Sequence, residues 1–95
     1  MTATLIQYGS SPDAELVADS RRGSRQAFGQ IVRRYQGMVS GVIYSLCGDF
    51  HRSEDLAQET FISAWKSLSG ITDPEKLSPW LCQIARRRST VPLHP

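Results

Sequence analysis

The 95-residue chain is poor in cysteine, with only Cys47 and Cys82, and it contains no asparagine. Two cysteines make no framework of the kind that holds small secreted domains together, so they are expected reduced and packed, in a cytosolic protein. No apolar stretch approaches the roughly 20 residues that cross a bilayer. No charged start followed by an apolar run marks a signal peptide, and no membrane partner is expected. His51 and His94 are isolated, and no Cys/His spacing fits a metal. A glycine-rich phosphate loop after a strand is missing, as is a set of Ser, His and acid that suggests a nucleophile. Glu54 and Asp55 are adjacent, so on a helix they point about 100° apart and are no carboxylate pair. The expectation is a protein that is not an enzyme and needs no cofactor. Strand signals are lacking too: there is no clean alternation and no Asn-Gly turn.

What the chain does have is segregated charge. The net charge of +2 is too small to imply a nucleic-acid partner. Basic residues nevertheless gather at Arg21, Arg22 and Arg25, at Arg33 and Arg34, and at Arg86, Arg87 and Arg88. Acidic residues gather at Asp13, Glu15 and Asp19, and at Glu54, Asp55 and Glu59. Such clusters are either solvated helix faces or surfaces for two partners of opposite sign.

The periodicity predicts an all-α bundle of about four helices in one small domain, residues 12–88, between an N-terminal arm (1–11) and a frayed tail (89–95). The first helix is expected from Pro12 to about Arg22, with Ser11 as cap and Gly23 as stop. The second runs from about Arg25, capped by Ser24, to Cys47, with Gly48 as terminator. Its apolar stripe is Phe28, Ile31, Val32, Tyr35, Val39, Val42, Ile43 and Leu46. Gly29, Gly37, Ser40 and Gly41 lie off that stripe; interior glycine costs up to ~1 kcal/mol against alanine. Either a neighbour helix approaches closely there or the helix is simply not optimised, and close packing is the favoured expectation. The third helix is expected over about Arg52–Leu68, followed by a loop over 69–78. The fourth starts at Ser78-Pro79 by cap and proline and runs to about Arg88.

The third helix divides by angle. Ala57, Phe61, Ala64 and Leu68 form the core side, with Trp65 at its margin. Asp55, Gln58, Glu59, Ile62 and Lys66 lie on the opposite side or its flank. Ile62 is thus a β-branched hydrophobe beside two carboxylates and an amide. Scattered surface hydrophobes are common. The arrangement also fits a docking face: an apolar anchor in an acidic rim, presented to a basic partner helix.

Three blocks in order, DAELVADSRRGSRQAFGQIVRRYQGMV, GDFHRSEDLAQETFISAW and SPWLCQIARR, resemble the second conserved region of bacterial RNA polymerase sigma factors. The similarity is greatest to the small extracytoplasmic-function type and covers about Asp13 to Arg88. The resemblance implies an all-α domain that binds core RNA polymerase and recognises the promoter minus-ten element. It places Asp55, Gln58, Glu59, Ile62 and Trp65 against a coiled coil of the largest polymerase subunits. It also makes the loop SGITDPEKLS the receptor for a base flipped from the non-template strand. Ser69, Gly70, Ile71, Thr72, Asp73, Lys76, Trp80, Arg86, Arg87 and Arg88 are then the expected DNA contacts. Trp80 reads more readily as core, orienting the loop. An anti-sigma factor is a further implied partner. A pure protein-interaction module, sequestered by an anti-sigma factor or acting as a polymerase decoy without a DNA role, is the alternative. The chain departs from the family where Arg87 replaces a frequent asparagine and where the fourth helix is expected to stop early. The second domain of such factors, which reads the minus-thirty-five element, is expected to be absent from 95 residues.

Overall fold

A computed structural model describes residues 11–90. Four α-helices follow one another: α1 (Asp13–Arg21), α2 (Arg25–Cys47), α3 (Phe50–Lys66) and α4 (Leu77–Thr90). Two short 3-10 turns, Leu68–Gly70 and Pro74–Lys76, connect α3 to α4. No strand occurs among the described residues, as the periodicity predicts. Of the expected arm (1–11) and tail (89–95), residues 1–10 and 91–95 lie outside them.

The ends of α2 follow local chemistry. The Ser24 hydroxyl accepts from the Ala27 N–H at 3.1 Å, satisfying one orphan donor of the first turn. At the other end Gly48 takes φ +71°, where a side chain is strained, and its N–H bonds to the Tyr44 carbonyl. The helix spans Arg25–Cys47, as expected from these signals.

The other boundaries shift. Ser11 does not cap α1: Pro12 holds the capping position with extended backbone and no side-chain cap bond. Instead Arg34 of α2 donates to the Ser11 carbonyl and to Asp13 Oδ1, at 2.8 and 2.9 Å. The Tyr35 hydroxyl donates to Asp13 Oδ2. Tertiary hydrogen bonds thus anchor this short helix in place of a local cap. α3 begins at Phe50, two residues before the expected Arg52, because Asp49 is its cap and accepts from the Arg52 N–H at 3.1 Å. It ends at Lys66, and Leu68 lies in the following 3-10 turn.

α4 begins before Pro79. Asp73 accepts from the Glu75 N–H at 3.0 Å and caps the 3-10 turn Pro74–Lys76, which runs directly into Leu77. Ser78-Pro79 therefore falls inside the first turn and is not the cap-and-start pair. Proline is tolerated there because first-turn N–H groups have no intrahelical acceptor. At the far end Ser89 and Thr90 remain helical, beyond the expected Arg88. Their hydroxyls donate back to the Ala85 and Arg86 carbonyls at 2.8 and 2.9 Å.

α2 is the central element and packs against each of the other helices. Leu16 and Val17 from α1, Ile31 and Ile43 from α2, Ala64 from α3 and Leu81 from α4 are wholly buried. Each large aliphatic side chain so buried contributes about 1.5–3 kcal/mol before entropy is counted. The α2 stripe holds except at its last turn, where Leu46 is exposed. The close approach expected at the glycines is not found. A methyl group added at Gly29, Gly37 or Gly41 would meet nothing within 4 Å.

Candidate docking and nucleic-acid interfaces

The angular division of α3 is borne out by burial. Phe61 is 8% exposed and Ile62 is 55% exposed. Ala57 and Ala64 are buried with Phe61, while Asp55, Gln58 and Glu59 face solvent. Trp65 is half-buried, edge-on to Phe28 of α2 with ring centroids 5.1 Å apart. This ring contact fastens α3 to α2.

Next to Ile62 lies an open hollow of about 300 Å³, lined by Arg25, Phe28, Phe61, Ile62 and Trp65. A second hollow of about 330 Å³ shares Phe61 and continues along the α2–α3 seam past Gln36, Gly37, Ser40, Glu54 and Gln58. The α2 side of this surface was not identified from the sequence, where Phe28 and Val32 read only as core. The glycine and serine off the α2 stripe were the available signal. They leave an open flank beside α3 and do not mark an approach within the bundle.

The loop after α3 is held from α1. Arg21 donates from Nε to the Leu68 carbonyl at 3.1 Å, and from its second nitrogen to the Ile71 carbonyl. Sequence reasoning counted Arg21 only as part of a basic cluster; its contacts lie 47 and 50 residues away and no local pattern announces them. The pinned loop exposes Ser69, Gly70, Thr72, Asp73 and Lys76. Ile71 corrects the expectation: it is 3% exposed and its side chain belongs to the core. A buried isoleucine is the loop's apolar peg and offers nothing to a base edge. Asp73 is engaged as the cap of the second 3-10 turn. Trp80 is half-buried and packs against the core, in keeping with its reading as a core residue.

Arg86, Arg87 and Arg88 are all exposed on α4. They are not equivalent. Arg88 reaches across to α3, with Nη2 2.5 Å from Ser63 Oγ and Nη1 3.5 Å from Glu59 Oε1. Neither Arg86 nor Arg87 has an ion-pair partner among the described residues. The structure thus joins one expected DNA contact to one expected polymerase contact.

Cys47 and Cys82 are free thiols. The Cys47 thiol is held below the ordinary cysteine range, first by its hydrogen bond with the Ser53 hydroxyl and then by the backbone at Asp49. No cluster of metal-ligating side chains occurs among the described residues, and none of their helices is long and apolar enough to cross a membrane.

Comparison with known proteins agrees with this architecture. The family profile described as Sigma-70 region 2 matches residues 31–90, which takes in most of α2 and all of α3 and α4. The probable RNA polymerase sigma factor RfaY of Xanthomonas campestris pv. campestris is 41% identical over 64 residues, covering 67% of this chain and 16% of that protein. The RNA polymerase sigma-H factor of Pseudomonas aeruginosa is 34% identical over 73 residues, covering 77% and 38%. The ECF RNA polymerase sigma factor SigW of Bacillus subtilis is 35% identical over 65 residues, covering 68% and 35%. The chain spans less than two-fifths of the length of each of these relatives. With the profile matched over most of its helices, the chain belongs to the sigma-70 region 2 family, of the extracytoplasmic-function type.

Proposed function

We propose that this domain binds core RNA polymerase through the exposed face of α3 and recognises and melts the promoter minus-ten element through the α3–α4 loop and α4. One observation carries the docking half: Ile62 stands exposed among Asp55, Gln58 and Glu59 while its neighbour Phe61 is sealed in the core. An apolar anchor inside an acidic rim matches a basic helix of the partner, and the rim carboxylates discriminate against acidic surfaces. Truncating a desolvated anchor of this kind commonly costs more than ~2 kcal/mol of binding.

The DNA half rests on the pinned loop and the free cations beside it. Extruding a base costs a few kcal/mol of unstacking, so the receptor must be ordered beforehand. Arg21 and Ile71 order the loop from below, and Ser69, Gly70, Thr72 and Asp73 remain open above. Lys76, Arg86 and Arg87 meet phosphates, each steepening the salt dependence of binding.

Recovery of core RNA polymerase by the tagged chain, by Glu59→Lys and by Ile62→Glu tests the docking face. Both variants are expected to lose the polymerase; equal recovery from all three removes the proposal. For the DNA face, Lys76→Ala with Arg86→Ala is expected to weaken binding of a single-stranded minus-ten oligonucleotide. Unchanged affinity would leave the protein-interaction module as the better reading. That second reading has an observation in its favour: Tyr44, Leu46 and Phe50, near the α2–α3 turn, are large and exposed, and exposed apolar surface marks interaction sites when it is contiguous. Sequestration by an anti-sigma factor would cover such surface.

A further inference from the structure

Arg88 and Glu59 sit on different helices and serve, in the reading above, different partners. Glu59 is on the solvent face of α3, one turn from Ile62. Arg88 is on the last turns of α4, next to Arg87. Yet in the free domain they touch each other, and Ser63 fixes the second nitrogen of the guanidinium. The contact bridges a cleft lined by Ser63, Ser67, Ile84, Arg87 and Arg88.

The pair is exposed on both sides, 45% at Arg88 and 52% at Glu59. Exposed pairs of this kind are weak and salt-screened. They are therefore easily exchanged when a better partner arrives for either member. A cation of a docking helix that takes Glu59 removes the counter-charge of Arg88 and adds like-charge repulsion. The guanidinium then swings from α3 to the nearest anion. Arginine binds phosphate by charge and by paired N–H donors, so a phosphodiester is its natural second partner.

We infer that Arg88 is shared between the two surfaces: Glu59 and Ser63 hold it in the free domain, and occupation of Glu59 by the polymerase releases it to the DNA backbone. This rests on the proposed function and adds to it a coupling between its two halves. By linkage, DNA that captures Arg88 frees Glu59 and raises polymerase affinity by the same factor. The strength of an exposed pair limits that factor to about two- to five-fold. The device therefore sharpens discrimination between free and docked states and does not act as an all-or-none switch.

The test is fluorescence anisotropy with a labelled single-stranded minus-ten oligonucleotide and the whole chain at several salt concentrations. Glu59→Gln mimics occupation by removing the counter-charge. It is expected to tighten oligonucleotide binding about two- to five-fold. It should also steepen the log–log salt slope by about 0.7, the increment of one added phosphate contact on a single strand. In the Arg88→Gln background the same change should have neither effect. Glu54→Gln, which removes a carboxylate of the same helix without a contact to Arg88, measures the general effect of net charge. If Glu59→Gln and Glu54→Gln shift binding equally, or if the Glu59→Gln gain persists without Arg88, the coupling is overturned while DNA binding stands. If none of the proteins binds the oligonucleotide, the DNA half of the proposed function fails and the coupling falls with it.

Discussion

Phe61 and Ile62 are consecutive in the chain and opposite in space: one is 8% exposed, the other 55%. Their substitutions should therefore separate stability from binding. Phe61→Ala removes a packed ring from the α2–α3 seam and is expected to lower unfolding free energy by about 3–5 kcal/mol. Ile62→Ala should stay within roughly 0.5 kcal/mol. Urea denaturation followed by circular dichroism checks both. Comparable losses at the two positions would mean that Ile62 packs where the structure has it bare.

The glycines divide into two groups with opposite expected signs. Gly37 and Gly41 have helical backbone and open surroundings. Alanine at either should stabilise by up to ~1 kcal/mol, raising the thermal midpoint by several degrees, since a domain of this size gains about 4–8 °C per kcal/mol. Gly48 has equally open surroundings but φ +71°. Alanine there meets its own backbone and is expected to lower stability by about 1–2 kcal/mol. Differential scanning calorimetry of the three single variants gives the signs directly.

Arg21 is expected to matter for the loop more than for the bundle. Arg21→Met keeps most of the aliphatic stem and deletes the donors to the Leu68 and Ile71 carbonyls. Hydrogen exchange should accelerate in the segment from Leu68 to Lys76, with helix content unchanged. Oligonucleotide binding should weaken in parallel, because a disordered receptor must be ordered at the time of binding. Unaltered exchange in that segment would show that Ile71 alone secures the loop.

Tyr35 gives the chain an alkaline limit. Burial, and then the hydrogen bond to Asp13 and its charge, push the Tyr35 hydroxyl up to about 12. An unfolded tyrosine ionises near about 10. Between those values the folded chain keeps a proton that the unfolded chain releases, so stability is complete below pH about 10 and declines as pH rises toward about 12. Tyr35→Phe cannot ionise and should flatten that decline. Denaturation midpoints across this range, with phenolate absorbance to follow the titration, test it.

Much of this was legible because several signals were local. Ser24 and Gly48 bracket α2 with capping chemistry that any helix obeys, and α2 spans the expected residues. The sides of α3 followed from helical angle alone. What could not be read depended on distant partners or on competing local signals. The Ser78-Pro79 pair has the form of a helix start, but Asp73-Pro74 five residues earlier makes a better one and the 3-10 turn propagates into α4. Ile71 read as loop surface because nothing nearby announces the hydrophobic site that receives it. The contact of Arg88 with Glu59 and Ser63 spans 29 and 25 residues and depends on how α4 crosses α3. The glycines of α2 showed that small residues leave room without saying what fills it.

The connections between helices differ greatly in length, and this bears on the order of assembly. Only Gly48 and Asp49 separate α2 from α3, whereas ten residues, 67–76, precede α4. Closing a short link costs little chain entropy, so the α2–α3 hairpin is expected to form early and the arginine-bearing helix to dock last. Ile31→Ala should then slow folding, whereas Leu81→Ala should chiefly hasten unfolding, a division that chevron analysis of the two variants resolves.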